Sequence, residues 1–201
     1  MCIRDRTYLA KLWHIFLFIA ILEKKNAARK IPSGLKIGDT FEISGTTWKI
    51  LDITNDGYSC LADSIGEMEF DSESNNWVNS DLRDYLVTEF LDKLKEEIGE
   101  DNILQRERDL LSLDGQTEYG KAYEKVSLLT VDEYRKYRSL IPNTEDDWWW
   151  LITPWSTPCN DYKTCVATVS PSGLICNFNC ISDFGVRPFC IFSSSIFESE
   201  E

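Results

Sequence analysis

Apolar and polar positions alternate in short runs near residue 40 and again from residue 148, while between them the spacing changes to one that suits helices. Residues 41–43, 46–54 and 58–62 are rich in β-branched and aromatic side chains, and Ser44-Gly45 and Asn55-Asp56-Gly57 punctuate them. That pattern predicts three strands, with Asp56-Gly57 as a strong hairpin signal. Leu82, Leu86, Phe90, Leu94 and Ile98 then recur every four residues along one helical stripe. Ser80 suits the N-cap, Lys93 and Lys95 the last turn, and Gly99 the stop. Thr130-Val131-Asp132-Glu133 has capping-box spacing and predicts a second helix, ended by Pro142, with Tyr134 and Tyr137 facing inward. Between the helices, Asp114-Gly115-Gln116 reads as a turn in an irregular stretch. Trp148-Trp149-Trp150-Leu151-Ile152 and residues 165–169, 174–178 and 186–192 read as later strands. Ser170-Pro171-Ser172-Gly173 is a turn, and Pro188 marks an edge or bulge because proline cannot donate to a ladder. Strands, two helices, then strands predict an α+β fold with an antiparallel sheet.

The first thirty residues read differently. Residues 8–22 are apolar apart from Lys11 and His14 and follow Arg4 and Arg6, as in a signal peptide or short anchor. Against that, Glu23-Lys24-Lys25 comes next without a nearby small-x-small cleavage site, and the run is shorter than the roughly 20 residues a membrane helix needs. Met1-Cys2-Ile3-Arg4-Asp5-Arg6 looks like translated sequencing adapter. Residues 1–30 are therefore expected to stand outside the fold and 31–198 to form a single domain. The expected setting is the cytoplasm or a phage particle, with secretion only if residues 8–22 act as a signal. A membrane is not an expected partner.

Composition narrows the chemistry. The 201 residues carry 34 acidic and 21 basic side chains, a formal charge of -13, which repels phosphate backbones and argues against nucleic acid as a partner. The single histidine, His14, precedes the domain, so no imidazole is available there for acid-base work or metal ligation. The seven cysteines (2, 60, 159, 165, 176, 180 and 190) form no C-x-x-C pair and are odd in number, so reduced thiols are expected. No Gly-rich phosphate loop occurs. The expectation is a domain that is not an enzyme and that uses no cofactor and no metal.

Some residues also carry a resemblance. Trp148 to Trp155 (W-W-W-L-I-T-P-W), followed by strand, Gly turn, strand and Gly185-Val186-Arg187-Pro188-Phe189, resemble the end of an uncharacterised domain family of gut bacteria and their phages, domain of unknown function 6273. Met68-Glu69-Phe70-Asp71, Asn75-Asn76-Trp77-Val78-Asn79-Ser80-Asp81-Leu82-Arg83 and Asp101-Asn102-Ile103-Leu104 resemble it too, so that the likeness spans roughly residues 34–198. That family is similar to the C-type-lectin-like fold of formylglycine-generating enzymes and of the variable proteins of diversity-generating retroelements. The resemblance implies a fixed scaffold displaying a rewritable surface near its C-terminal end, to which a protein or glycan ligand would bind.

In such variable proteins adenine-specific errors rewrite asparagine codons, reaching Asn, Asp, Tyr, Ser, Thr, Cys, Phe and Ile but never Trp, Lys, Glu, Gln or Met. Asn160, Asp161, Tyr162, Thr164 and Cys165 lie in the reachable set, as does every residue from Cys176 through Phe184. The candidate ligand surface is accordingly Asn160, Asp161, Tyr162, Thr164, Asn177, Phe178, Asn179, Ile181, Ser182, Asp183 and Phe184, a blend of aromatic and small polar side chains of the kind adaptable paratopes use. The competing reading makes Phe178, Ile181 and Phe184 the core of a hairpin and the polar residues its turn. Trp77, Trp148, Trp149, Trp150, Gly185 and Arg187 are assigned to the scaffold. Two other functions fit the resemblance: an oxidoreductase of the formylglycine-generating type, with Cys176 and Cys180 as the nearest imitation of its cysteine pair, and a calcium-dependent lectin. For the lectin only Ile141-Pro142-Asn143 and the acidic Glu145-Asp146-Asp147 offer oxygen ligands.

Overall fold

The computed structural model describes residues 31–197, so the expectations for residues 1–30 lie outside the described residues. Thirteen strands are present among them: β1 (Thr40–Ile43), β2 (Thr46–Ile53), β3 (Tyr58–Ala62), β4 (Glu67–Met68), β5 (Ile103–Leu104), β6 (Arg106–Asp109), β7 (Lys121–Glu124), β8 (Val126–Ser127), β9 (Trp149–Pro154), β10 (Cys165–Val169), β11 (Ile175–Asn179), β12 (Phe184–Gly185) and β13 (Phe189–Phe192). One sheet runs β1-β2-β3-β13-β5, with β8 also on β13; a second runs β11-β10-β9-β12-β4; β6 and β7 form a separate hairpin. Every pairing is antiparallel except the contact of β12 with β9. The fold is α+β with mostly antiparallel sheets.

The first helical stretch runs from α1 (Asp81–Tyr85) through a π turn (Leu86–Phe90) into α2 (Leu91–Ile98). Spacing of four overshoots the 3.6-residue turn by about 40° each step, so an unbroken α-helix would wind such a stripe away from its neighbours. The wider π turn takes up that excess. Leu82, Leu86, Phe90, Leu94 and Ile98 are all buried on one side. Ser80 Oγ accepts from the Arg83 N–H at 3.2 Å, and Gly99 ends the stretch at φ +81°. In α3 (Val131–Tyr137), both bonds of the Thr130/Glu133 capping box form, and Tyr134 and Tyr137 are buried.

Two apolar clusters lie on opposite faces of the sheets. From β9, Trp150 and Ile152 enter the cluster beneath the long helical stretch, while Trp149 and Leu151 enter the one beneath α3. Burial of both faces explains why this strand is a continuous apolar run.

Three sequence expectations need correcting. Residues 186–192 are not one strand: only Phe189–Phe192 (β13) is, and residues 186–188 carry the chain to it from β12 of the second sheet, with the Pro188 carbonyl accepting from Ala62 N–H at 2.8 Å. Proline thus precedes an interior strand of the first sheet instead of lying along an edge. The stretch between the helices is flanked by the β6–β7 hairpin, whose charged alternation (R-E-R-D paired with K-A-Y-E) hid it. Gly57 serves its turn by close approach: a Cβ there would sit 2.2 Å from the Phe192 carbonyl oxygen. Ser44 and Gly45, by contrast, do take left-handed backbone, at φ 53° and 72°.

Candidate functional site

The long connection from β9 to β10 carries Asn160, Asp161, Tyr162 and Thr164, and its closure depends on one buried amide. Asn75 Nδ2 donates to the carbonyls of Ser156 (2.8 Å), Cys165 (2.7 Å) and Tyr162 (3.3 Å), and Oδ1 accepts from the Tyr119 hydroxyl at 2.7 Å. The Asn75 N–H donates to the Lys163 carbonyl at 2.6 Å, and Trp155 N–H to Cys165 O at 2.9 Å closes the base. The connection is thus pinned to the body at several carbonyls, with Ser156 and Thr157 buried at its base and residues 158–163 exposed. Asn160, Asp161 and Tyr162 are exposed, and Thr164 is half-buried. Asp161 adopts left-handed backbone at φ 60°, a conformation that a short polar residue tolerates.

A groove of about 540 Å³ opens beside it, lined by Leu113, Asp114, Trp155, Ser156, Asn160 and Tyr162. Its fixed point is Asp114. Ser112 Oγ donates to Oδ1 at 2.5 Å, while Ser156 Oγ at 2.6 Å and Asn160 Nδ2 at 2.8 Å donate to Oδ2. These donors, Ser112 first, hold its carboxyl at about 2 despite its exposure. Among the described residues no lysine or arginine forms an ion pair with Asp114. At the rim Glu118 accepts from the Cys159 N–H at 3.3 Å, and its hydrogen bond to the Cys159 thiol pushes that thiol up, the opposite of what activates a nucleophile.

The second candidate segment follows through the Cys180 N–H, which donates to the Thr164 carbonyl at 2.7 Å. Phe178, Asn179, Ile181 and Asp183 are exposed; Asn177, Ser182 and Phe184 are half-buried. The aromatic residues of this segment divide between exposure and packing. Ile181 is 53% exposed, yet Phe178 and Phe184 pack edge-on at 4.8 Å and each meets Trp148, at 4.9 and 6.0 Å. From Phe184 the ring contacts continue inward to Trp150, Phe70 and Trp77. The two segments therefore have different surroundings: Asn160 and Tyr162 line a polar groove, whereas Phe178 and Phe184 cap an aromatic stack.

Trp77, Trp149 and Trp150 are buried and Trp148 is half-buried. Gly185 is buried where a Cβ would come within 3.0 Å of the Trp148 carbonyl. Arg187 lies 5.1 Å over the Trp149 ring, donates to Ala62 O at 3.1 Å and pairs with Asp63 at 3.6 Å; burial pulls its guanidinium below the ordinary value. Cys180 is buried, which raises its thiol to about 11, and neither it nor the half-buried Cys176 is in a disulfide. Asn143 Oδ1 accepts from Arg138. Among the described residues no group of three or more His, Cys, Asp or Glu side chains is placed to hold a metal ion, and no helix is long and apolar enough to cross a membrane.

Asp114, Ser156 and Trp155 were missed as site residues, Asp114 having been read only as a turn. Its partners Ser156 and Asn160 lie 42 and 46 positions away, so no local spacing announces the groove. Comparison of the chain with protein-family models, curated proteins and solved structures gives no match.

Proposed function

We propose that this domain is a non-enzymatic ligand-binding module of the C-type-lectin-like kind, a variable protein of a diversity-generating retroelement whose recognition surface is built from residues 160–164 and 177–184. The observation carrying this reading is the contrast at the β9–β10 connection: backbone fixed by the fully buried Asn75, side chains of Asn160, Asp161 and Tyr162 left in water. Loops held on a rigid scaffold are where recognition concentrates. A raised Cys159 thiol and a raised Cys180 thiol support a binding role over one in thiolate chemistry. The ligand would be a protein or a glycan.

The test is replacement of Asn160, Tyr162, Asn177, Phe178, Asn179, Ile181 and Asp183 together by alanine or serine, compared with Trp149→Ala. The Trp149 ring is 2% exposed, and its loss should cost about 3–5 kcal/mol. The seven-fold variant should stay folded and lose less in its denaturant midpoint. A loss equal to the control's would make these residues core. A neighbouring reverse transcriptase gene, with a template repeat differing from this gene only at adenines, is the expected genomic correlate, and its absence would remove the retroelement part of the reading.

A further inference from the structure

Resting on that reading, we propose that the groove formed by Asp114, Trp155, Ser156, Asn160 and Tyr162 binds an organic ammonium group, either free or on a lysine-type side chain. Its volume of about 540 Å³ lies within the range of small-molecule sites, roughly 300–1,000 Å³. Trp155 and Tyr162 offer aromatic surface in the same groove, Tyr162 with 56% of its surface in water, and an ammonium over such rings is attracted by their quadrupole. Asp114 supplies the counter-charge.

The state of that carboxylate decides between an ammonium and a neutral polyol. An ionised carboxylate has about four lone-pair positions. Ser112, Ser156 and Asn160 fill three of them, so little acceptor capacity is left for the several hydroxyls of a sugar. All three donors are neutral, however, so the negative charge is not cancelled. A quaternary ammonium is drawn by that charge and, having no N–H to donate, needs no free lone pair, and the chain's net charge of -13 favours its approach. Asp114 and Trp155 belong to neither candidate segment, whereas Asn160 and Tyr162 belong to the first. The groove would thus keep a constant charged floor beneath a changeable rim.

Titration calorimetry on the full chain tests this with tetramethylammonium chloride, a peptide bearing one trimethyllysine, and methyl glucoside as neutral probe, against sodium chloride at matched ionic strength. Tetramethylammonium should bind saturably with a Kd on the order of 1 mM. Tighter binding of the peptide would identify a side chain as the natural source of the group, and equal binding a free amine; both sustain the proposal. Asp114→Asn and Tyr162→Ala should each weaken binding by about tenfold. Tyr162→Ala should keep the wild-type melting temperature, which covers the case in which Asp114→Asn disturbs the fold. Binding of the glucoside in place of the ammonium would overturn the ligand class while leaving a binding module. Silence from all three probes would overturn the groove itself, and the seven-fold variant then reports separately on the wider surface.

Discussion

Asn75 makes five hydrogen bonds from a fully buried position; three of its partners belong to the connection that carries the groove, and a fourth, Cys165, begins β10. Truncating it leaves the Ser156 carbonyl without its donor and takes from the Cys165 carbonyl one of two, the other being the Trp155 N–H, with a penalty of about 1–3 kcal/mol for a buried group left unsatisfied. Asn75→Ala should therefore lower stability by about 2–3 kcal/mol and open residues 156–165 to proteolysis, whereas Tyr119→Phe, which removes a single bond, should cost about 1 kcal/mol. Equal losses in the two variants would show that the amide is not the clamp. A second buried group is Arg108, which grips both carboxylate oxygens of Glu133, donates to Leu128 O at 2.8 Å and lies 5.1 Å from the Phe189 ring. Burial pushes the Glu133 carboxyl up, but the Arg108 hydrogen bond and charge outweigh it and leave it lowered. Its contribution is thus present above the ordinary Glu value of about 4.3 and lost as pH falls through the depressed folded value. Glu133→Gln should cost on the order of 3 kcal/mol near neutral pH, the low end for breaking a buried pair, since 26% of the Glu133 side chain still meets water. The difference from wild type in urea midpoint should shrink below pH 4.

At the scale of elements, Gly57 and Gly45 occupy two successive turns for different reasons. Gly45 needs left-handed backbone, with nothing within 4 Å of an added Cβ; Gly57 has ordinary backbone but faces the Phe192 carbonyl. Gly45→Ala should cost about 1 kcal/mol from conformation alone, and Gly57→Ala about 3 kcal/mol because backbone must move. Reversal of that order in chemical denaturation would refute the close-approach account. The same contrast shows what could be read from the chain. Both turns, the first three strands, both helix caps and the inward Tyr134 and Tyr137 follow from local spacing, because caps, turns and alternation are properties of neighbours in sequence. The β6–β7 hairpin, the break at Pro188 and the π turn were not legible. Each is decided by what a distant segment places alongside: a charged ribbon lacks the apolar contrast that marks a strand, and β12 and β13 differ only in which sheet receives them. The candidate site divided in the same way. Asn160 and Tyr162 could be picked out as a mixed polar and aromatic stretch, but Asp114 acquires its role only when folding brings Ser156 and Asn160 to it.

Over the whole molecule, pH ties the groove's charge to the charges that stabilise the fold. Asp52 is lowered by its hydrogen bond to Lys136, Glu133 by Arg108, and Asp114 to about 2 by Ser112, Ser156 and Asn160. All three shifts have the same sign: each carboxylate stabilises the fold above its unfolded value, near 4, and that contribution goes as pH falls through the folded value. The only histidine in the chain is His14, so no imidazole among the described residues changes charge between pH 5 and 8. A quaternary ammonium keeps its charge throughout. Affinity of the groove for tetramethylammonium should therefore be level from pH 8 to about pH 4, because Asp114 is still ionised there. It should decline only as pH approaches 2, together with the acid unfolding transition followed by circular dichroism. Raising the salt at pH 7 should weaken binding, since the attraction is between charges at an open surface. A midpoint near 4 with the fold intact would place the charge on an ordinary carboxylate and not on one held by three donors. A profile unchanged in Asp114→Asn would place the cation elsewhere on the molecule.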